Sequence, residues 1–329
     1  MQDGPRATIV IPTYNSARWL GEAVDSALAQ TFDDIEVLVL DNASTDGTAK
    51  LMARYTDPRL IYRRFDNNVG FAGNVTRGIK AARGDYFMVL GADDILDPRF
   101  VAAAVARLEA DPAAQMVHGG AIWIDDDGVP IGRFSGRWPA KSGGGDAFVR
   151  AFTEGFCYSC VLSRTAPVKA LGGMDEEWGM IADSWLFLKL CLAGDVLFIE
   201  EPLVHYRVRE SSLSFELYAD GKMFDDHIAG LETAFAWPEA SPLITRRHEA
   251  RTAVARQAFE TMHLTRMGAG LRGVARKTWQ IVRAEPRVVS LPACWLRLGM
   301  ALMPPAAIRA LRNHRRRARI ADFSEPARS

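Results

Sequence analysis

Along the first 125 or so residues, short apolar runs alternate with stretches whose apolar positions recur every three or four residues. Ala7-Thr8-Ile9-Val10-Ile11, Ile35-Glu36-Val37-Leu38-Val39-Leu40, Leu60-Ile61-Tyr62 and Asp85-Tyr86-Phe87-Met88-Val89-Leu90 read as strands. After the first of them Leu20, Val24, Ala27 and Leu28 share one helical face, with Asn15 or Ser16 as the expected cap. A short helix is expected through Leu51 and Met52 to about Tyr55, and another through Ile79 and Ala82 that stops at Gly84. A fourth is opened by Pro98, with Phe100, Val101, Ala104, Val105 and Leu108 facing inward. Met116-Val117-His118 and Ala121-Ile122-Trp123-Ile124 supply another strand, and Asp126-Asp127-Gly128 a hairpin turn. This alternation predicts an α/β fold: a Rossmann-like, mostly parallel sheet flanked by helices. From about Phe215 the pattern is mostly helical, and no internal repeat is present.

In such a sheet the polar turns after the strands share one edge, the carboxyl ends, where ligands bind. Those turns are Pro12-Thr13-Tyr14-Asn15, the stretch Asp41-Asn42-Ala43-Ser44-Thr45-Asp46-Gly47-Thr48, and Gly91-Ala92-Asp93-Asp94. Asp41, Asp93 and Asp94 are therefore expected to converge, and converging carboxylates point to a metal-assisted nucleotide site. Ser142-Gly143-Gly144-Gly145 reads as a mobile loop; it lacks the preceding strand and the Lys-Ser/Thr ending of a phosphate-cradling loop. No Gly-x-Gly-x-x-Gly follows the first strand, which argues against a dinucleotide dehydrogenase.

Composition changes this picture in three places. The 329 residues suit one large or two modest domains, and 48% hydrophobic with 24% charged residues is ordinary for a soluble globular chain. Lys+Arg and Asp+Glu balance at 40 each, yet residues 268–329 hold 13 of the former and 3 of the latter. An acidic body thus carries a basic tail, which favours an anionic surface as partner. Cys157 and Cys160 have the spacing of a redox or half-zinc motif, but no second pair follows and Cys191 and Cys294 stand alone, so buried apolar thiols are expected. Met1-Gln2-Asp3-Gly4-Pro5 has no basic start leading into an apolar stretch, so a cytoplasmic setting is the expectation.

Taken in order, Pro12-Thr13-Tyr14-Asn15, the Asp41–Thr48 stretch, Asn68-Val69-Gly70 with Asn74, and Ala92-Asp93-Asp94 resemble the family 2 glycosyltransferases. Gly172-Gly173-Met174-Asp175, Ala182-Asp183-Ser184-Trp185, and Tyr206-Arg207 followed by Ser211 to Ser214 continue the resemblance, which covers roughly residues 5–215. It implies a GT-A-type domain over 1–215, with a nucleotide half to about 125 and an acceptor half over 126–215, and a helical C-terminal region over 216–329. It also implies an inverting transfer of a sugar from a nucleotide-diphosphate donor to an acceptor hydroxyl, with Mg²⁺ or Mn²⁺. By resemblance, Pro12, Thr13, Tyr14 and Asn15 hold base and ribose, Asp41 with Asn42 meets the base edge, and Asn74 lies near the diphosphate. Ala92 and Asp93 belong to the Asp-x-Asp motif, Asp93 with Asp94 binds metal, Asp183 is the general base, and His205 is a further candidate metal ligand. The donor is expected to be UDP- or dTDP-linked rather than GDP-linked, and the acceptor a saccharide or lipid-linked molecule in surface polysaccharide or glycolipid assembly.

Three positions depart from the family pattern. Gly91 stands where the motif has its first Asp, Ala182 replaces the Glu before Asp183, and Arg209 replaces a His after the Tyr-Arg pair. They keep open a non-catalytic nucleotide-sugar-binding module. A nucleotidyltransferase is the other alternative, although it would show a glycine-rich basic loop after the first strand. Trp138, Trp178 and Trp185 could stack on a sugar or pack in the core. Residues 288–311 are largely apolar but broken by Arg297 and Pro304-Pro305, and Arg309, Arg312, Arg315, Arg316, Arg317 and Arg319 follow. This arrangement suits peripheral attachment to an anionic membrane rather than a spanning helix. Nucleic-acid binding is not expected, because basic residues do not interleave with aromatics.

Overall fold

The structure, a computed structural model, describes residues 4–134, 136–209, 222–308 and 310. The described residues fall into two compact units. The first is drawn from 1–123, 133–148 and 154–207, and the second from 124–132, 149–153 and 208 onward.

The first unit is built on a sheet whose early strands are apolar throughout. Strands β1 (Ala7–Thr13) and β2 (Ile35–Asp41) are buried along almost their whole length, as strands covered by helices on both faces must be. They pair in parallel with Ala7 opposite Ile35 and Thr13 opposite Asp41. β3 (Leu60–Arg64) adds in parallel to β2, and β4 (Tyr86–Val89) in parallel to β1. Their register brings the turns after β1, β2 and β4 to one edge, as the sequence predicts. The connecting helices are α1 (Leu20–Leu28), α2 (Thr48–Met52) and α3 (Gly70–Ala81). Neither Asn15 nor Ser16 caps α1 with its side chain: the helix starts at Leu20, and Ser16 offers its carbonyl to the N–H groups of Trp19 and Leu20.

Beyond β4 the pairing changes hand. The order is β3-β2-β1-β4-β9-β6-β10-β5, with β5 (Ile95–Leu96), β6 (Ala114–Ile124), β9 (Val161–Arg164) and β10 (Asp195–Arg207). β9 runs antiparallel to both β4 and β6, and β5 antiparallel to β10. Parallel pairing joins the first four strands, where helical crossovers connect them, and also β6 with β10, whose Asp195 N–H donates to the Ala113 carbonyl at one end while the Val208 N–H donates to the Ile124 carbonyl at the other. Helix α4 (Phe100–Ala110) buries Phe100, Val101, Ala104, Val105 and Leu108, the predicted face. The turn at Asp126-Asp127-Gly128 is tied by Asp125, whose carboxylate accepts from the N–H groups of Asp127 and Val129.

The Ser142–Gly145 stretch is not a loop. Ser142 ends the short strand β8 (Lys141–Ser142), which pairs with β10, and Gly144 opens helix α5 (Gly144–Thr153). Glycine is needed there because a Cβ at Gly144 would lie 2.2 Å from the Cys191 carbonyl oxygen. We expect Gly144→Ala to cost about 1–3 kcal/mol by overpacking, read as a lowered midpoint in thermal denaturation; an unchanged midpoint would contradict this close approach.

The second unit is helical where described: α8 (Lys222–Phe235), α9 (Arg247–Glu260), α10 (Met262–Ala284) and α11 (Pro292–Ala301), with 3-10 turns between them. Glu232 of α8 pairs with Arg247 and Arg251 of α9. The motif residues 211–214 and the arginines from 309 to 319 lie outside the described residues. All four cysteines are free and buried.

Candidate active site

The candidate site grows out of the turns at the carboxyl edge of β1, β2 and β4. The first two are laced together. The Asn15 N–H donates to Ser44 Oγ at 2.9 Å, and Asn15 Oδ1 accepts from the Thr45 N–H at 2.8 Å. Asp46 accepts from the N–H groups of Ala17 and Thr48. Two non-glycine residues here take positive φ, Asn15 at 51° and Ala43 at 67°. Asn tolerates that region through its short polar side chain, whereas Ala pays a steric cost of about 1–2 kcal/mol. Tyr14 is half exposed above this pair of turns.

Asp41 does not present its carboxylate at the surface. It is fully buried, accepting from the Ser44 N–H at 2.8 Å and from the Tyr62 hydroxyl at 2.6 Å. The reason is its place as the last residue of β2, where one oxygen closes the following turn and the other meets Tyr62 on the neighbouring strand. Asn42 likewise works inward. Its amide donates to Asn68 Oδ1 and the Gly70 carbonyl, and its oxygen accepts from the N–H of Val69 and from Arg77. Asn74 donates to the Leu40 carbonyl at 2.8 Å. Asn74 Oδ1 and Thr13 Oγ1 are buried with no hydrogen-bond partner among the described residues, a state that costs stability until a polar group meets it.

The turn after β4 is organised by Asp94. Its Oδ1 accepts from the Arg207 N–H at 2.8 Å, and its Oδ2 from the Ser159 hydroxyl. Ser159 Oγ in turn accepts from the Gly91 N–H at 3.1 Å. Arg207, buried at the end of β10, donates from Nε to the Asp93 carbonyl at 2.8 Å and from Nη2 to Glu22 of α1 at 2.7 Å. Burial and the neighbouring Asp93 charge raise the Asp94 carboxyl to about 7, against the opposing pull of Ser159 and Arg207. Both Asp94 oxygens are thus engaged by donors of the protein itself, where the sequence suggested a metal-binding pair with Asp93. The same geometry accounts for Gly91: a Cβ there would stand 2.5 Å from Asp94 Oδ2. Asp94 fills the space that the family's first Asp would need.

The three acids therefore do not converge as a cluster. The Asp41 carboxylate is taken by its own turn and Tyr62, that of Asp94 by Ser159 and the Arg207 N–H, and among the described residues no group of three or more His, Cys, Asp or Glu is placed to hold a metal. His205 lies opposite Ile95 in the β10–β5 ladder, with Asp97 and Arg207 as its charged neighbours, and burial lowers its pKa. Asp93 keeps its place on the turn, with Ala92 buried before it.

Asp183 is the second residue of helix α7 (Ala182–Ala193). It accepts from the Ser184 N–H at 2.7 Å, and burial raises its carboxyl to about 6. It lines a small cavity together with Met88 and Val89 of β4, Phe156, Tyr158 and Phe187. The Tyr158 hydroxyl is buried without a partner among the described residues, and the charges of Asp183 and Asp94 both reach it. Ala182 is wholly buried, so the family's Glu would enter the core here. The Gly172–Asp175 motif docks on α3: the Met174 N–H donates to Thr76 Oγ1 at 2.9 Å, and Asp175 caps the next 3-10 turn. Trp138 packs edge-on against His118 at 4.3 Å and donates its indole N–H to the Gly155 carbonyl, which is core packing. Trp178 is also buried, and Trp185 partly so.

Sequence reasoning missed the partners. Tyr62, Tyr158, Ser159 and Glu22 carried no signal of their own. Ser159 and Tyr158 sit between Cys157 and Cys160, whose spacing drew attention to the thiols instead of the residues they enclose.

Residues 8–168 match the family model for glycosyl transferase family 2. Among curated relatives, an uncharacterized glycosyltransferase of Nostoc sp. is 28% identical over 62% of this chain and 65% of its own length. The putative glycosyltransferase EpsE of Bacillus subtilis is 28% identical over 66% of this chain and 77% of its own. The succinoglycan biosynthesis protein ExoO of Rhizobium meliloti is 37% identical over 40% of this chain and 37% of its own. The chain thus spans less than two thirds of the Nostoc relative and of ExoO. In fold, it resembles Staphylococcus aureus TarS residues 1–349 in complex with UDP-GlcNAc, with TM-score 0.61 and 17% identity over 97% of this chain and 89% of that one. It also resembles the mannosyltransferase PcManGT of Pyrobaculum calidifontis in complex with GDP-Man and Mn²⁺, with TM-score 0.58 and 20% identity over 98% and 89%.

Proposed function

We propose that this chain, which belongs to glycosyl transferase family 2, moves a sugar with inversion from a nucleoside-diphosphate donor to an acceptor hydroxyl. The observation that carries the reading is the juxtaposition at β4. Asp93 lies on the turn that follows the strand, while Asp183, distant in sequence and with its carboxyl raised to about 6 by burial, lines a cavity beside the strand itself.

Asp183 takes the acceptor proton onto its carboxylate as the acceptor oxygen bonds to the anomeric carbon and the bond from that carbon to the diphosphate oxygen breaks. A carboxyl raised to about 6 is a stronger base than an ordinary aspartate, yet still ionised at neutral pH. Attack from the side opposite the diphosphate gives inversion. Tyr14, Thr13 and Asn15 hold the nucleoside at the β1 turn, and Thr13 Oγ1 and Asn74 Oδ1 are acceptors awaiting a donor. Asp41 and Asn42 act from behind, fixing the β2 and 68–70 turns, instead of reading the base edge themselves.

The donor set fits a hard divalent cation in one form only. Asp93 is a single hard oxygen ligand at the turn, and Mg²⁺ or Mn²⁺ is commonly held by one or two carboxylates with substrate phosphates completing the shell. Such an ion, when bound, neutralises charge developing on the departing diphosphate. Arg207 and Asp94 keep the Asp93 backbone in place for that role. We read the donor as UDP- or dTDP-linked, and the acceptor as a saccharide or lipid-linked molecule in surface polysaccharide or glycolipid assembly, in keeping with the resemblance to the succinoglycan biosynthesis protein ExoO.

The test is thermal denaturation with UDP, dTDP, GDP and CDP, each with and without Mn²⁺. One nucleotide at a hundredfold its Kd is expected to stabilise the chain by about 3 kcal/mol, and to do so chiefly with metal. No response to any of the four would move the reading to a non-catalytic module.

A further inference from the structure

The second unit carries an exposed face that the proposed reaction does not use. Helix α10 buries Gly273, Val274, Lys277 and Ile281. Its other side presents Arg272, Arg276, Trp279 and Arg283, all exposed. Their spacing of four, three and four residues sets them in one stripe along the helix. The Arg283 guanidinium stacks over the Trp279 ring at 5.1 Å. Beside them in the chain, Leu271, Val289, Trp295, Leu296 and Leu302 are also exposed, Trp279 at 61%, Trp295 at 51% and Leu296 at 68%. The indole N–H of Trp295 is satisfied by the Val289 carbonyl at 2.8 Å, which leaves its ring turned outward. α10 and α11 pack against each other.

Charge is as one-sided as the exposure. Residues 262–308 hold seven Lys or Arg and one acid; that acid, Glu285, is buried, and the acid that approaches α10 from α8, Asp225, meets Arg276, Lys277 and Gln280. Large apolar side chains stranded in water mark an interaction surface. Tryptophan with flanking arginine suits the boundary between headgroups and acyl chains, where the ring enters the interface and the cation pairs with lipid phosphate. No helix among the described residues is long and apolar enough to cross a membrane.

We propose that the α10–α11 face docks the chain on an anionic lipid bilayer, with Trp279 and Trp295 entering the interface and Arg272, Arg276 and Arg283 pairing with headgroups. This lies outside residues 8–168 and stands independently of the sugar-transfer reading. The docking rests on the two helices themselves, whatever the arginines beyond residue 308 add.

The experiment is flotation of the full chain with phosphatidylcholine vesicles, with and without about 30% phosphatidylglycerol. The wild type is expected to float only with anionic vesicles, and less so as salt rises. The variant R272E/R276E/R283E is expected to lose roughly a hundredfold in partition, about fivefold for each arginine, and W279A/W295A to lose at least tenfold. Nucleotide stabilisation, measured without vesicles, should be unchanged in both variants. That separates failure of docking from failure of the catalytic reading. Flotation of both variants at the wild-type level would overturn the proposal, as would equal binding to neutral vesicles. So would a wild type that ignores vesicles but forms a dimer by light scattering that W279A/W295A dissolves, because the face would then belong to a second copy.

Discussion

Asp183→Asn is expected to lower kcat by about a thousandfold while leaving nucleotide-dependent thermal stabilisation as in the wild type. The substitution keeps shape and the hydrogen bond from Ser184 but removes the carboxylate proposed to take the acceptor's proton. Loss of stabilisation along with activity would assign Asp183 to the structure of the α7 N-terminus instead. The pH profile is a second reading of the same residue. With its carboxyl raised to about 6, kcat/KM should climb through that pH as the base ionises, and this limb should vanish in Asp183→Asn.

Stability should run the other way. Asp183 and Asp94 both have folded-state pKa values raised above the ordinary 3.8, to about 6 and about 7. A carboxyl of this kind contributes stability that is fully present below its unfolded pKa and is lost as pH rises through its folded pKa. From these two groups, the chain should lose stability between about pH 4 and 7 while it gains activity. Thermal midpoints that rise steadily over that interval in wild type, and do so equally in Asp94→Asn, would contradict the burial ascribed to Asp94.

Arg207→Ala is expected to destabilise the fold by about 3–5 kcal/mol, the usual consequence of breaking a buried charged network from one side. Arg207 is nearly inaccessible, and its side chain joins the Asp93 carbonyl to Glu22 of α1. Its peptide N–H to Asp94 survives the substitution, so the loss falls on the Asp93 turn. Glu22→Gln removes the partner at the solvent end, where Glu22 is half exposed, and should cost much less. If Arg207→Ala folds, the Mn²⁺ concentration needed for half-maximal nucleotide stabilisation should rise, because Asp93 is no longer fixed. An Arg207→Ala protein with wild-type midpoint and wild-type metal response would show that this network does not hold the turn.

Local pattern was enough to read much of the fold. Continuous apolar runs located β1 to β4 and a period-3.6 spacing the face of α4, because β1, β2 and β4 are covered on both faces while α4 buries one side. The order of the turns was enough to place Thr13, Asp41 and Asp93 along one edge, since parallel strands joined by helices must end on the same side; Asn74, inside α3, entered through the family resemblance. Antiparallel β9 and the strand-to-helix junction at Ser142–Gly145 were not legible. Pairing partners and the close approach of the Cys191 carbonyl to Gly144 are set by residues far away in the chain.

Side-chain direction was the larger gap at the site. A sequence shows that Asp41, Asp93 and Asp94 stand at turns, but whether a carboxylate faces a ligand or its own backbone depends on what else reaches it. Tyr62 and Ser44 claim Asp41, and Ser159 with the Arg207 N–H claims Asp94, through separations of 65 and 113 residues in the latter case. The sequence by itself therefore determined the fold class, the family resemblance and the edge of the sheet where the candidate turns gather. Only the tertiary structure decided which acids are spent on structure, why Gly91 has no side chain, and that α10 turns one stripe of Arg and Trp away from its own core. The physical reason is common to all three: a buried polar group must be satisfied by whatever the fold brings near it, and that neighbour is rarely near in sequence.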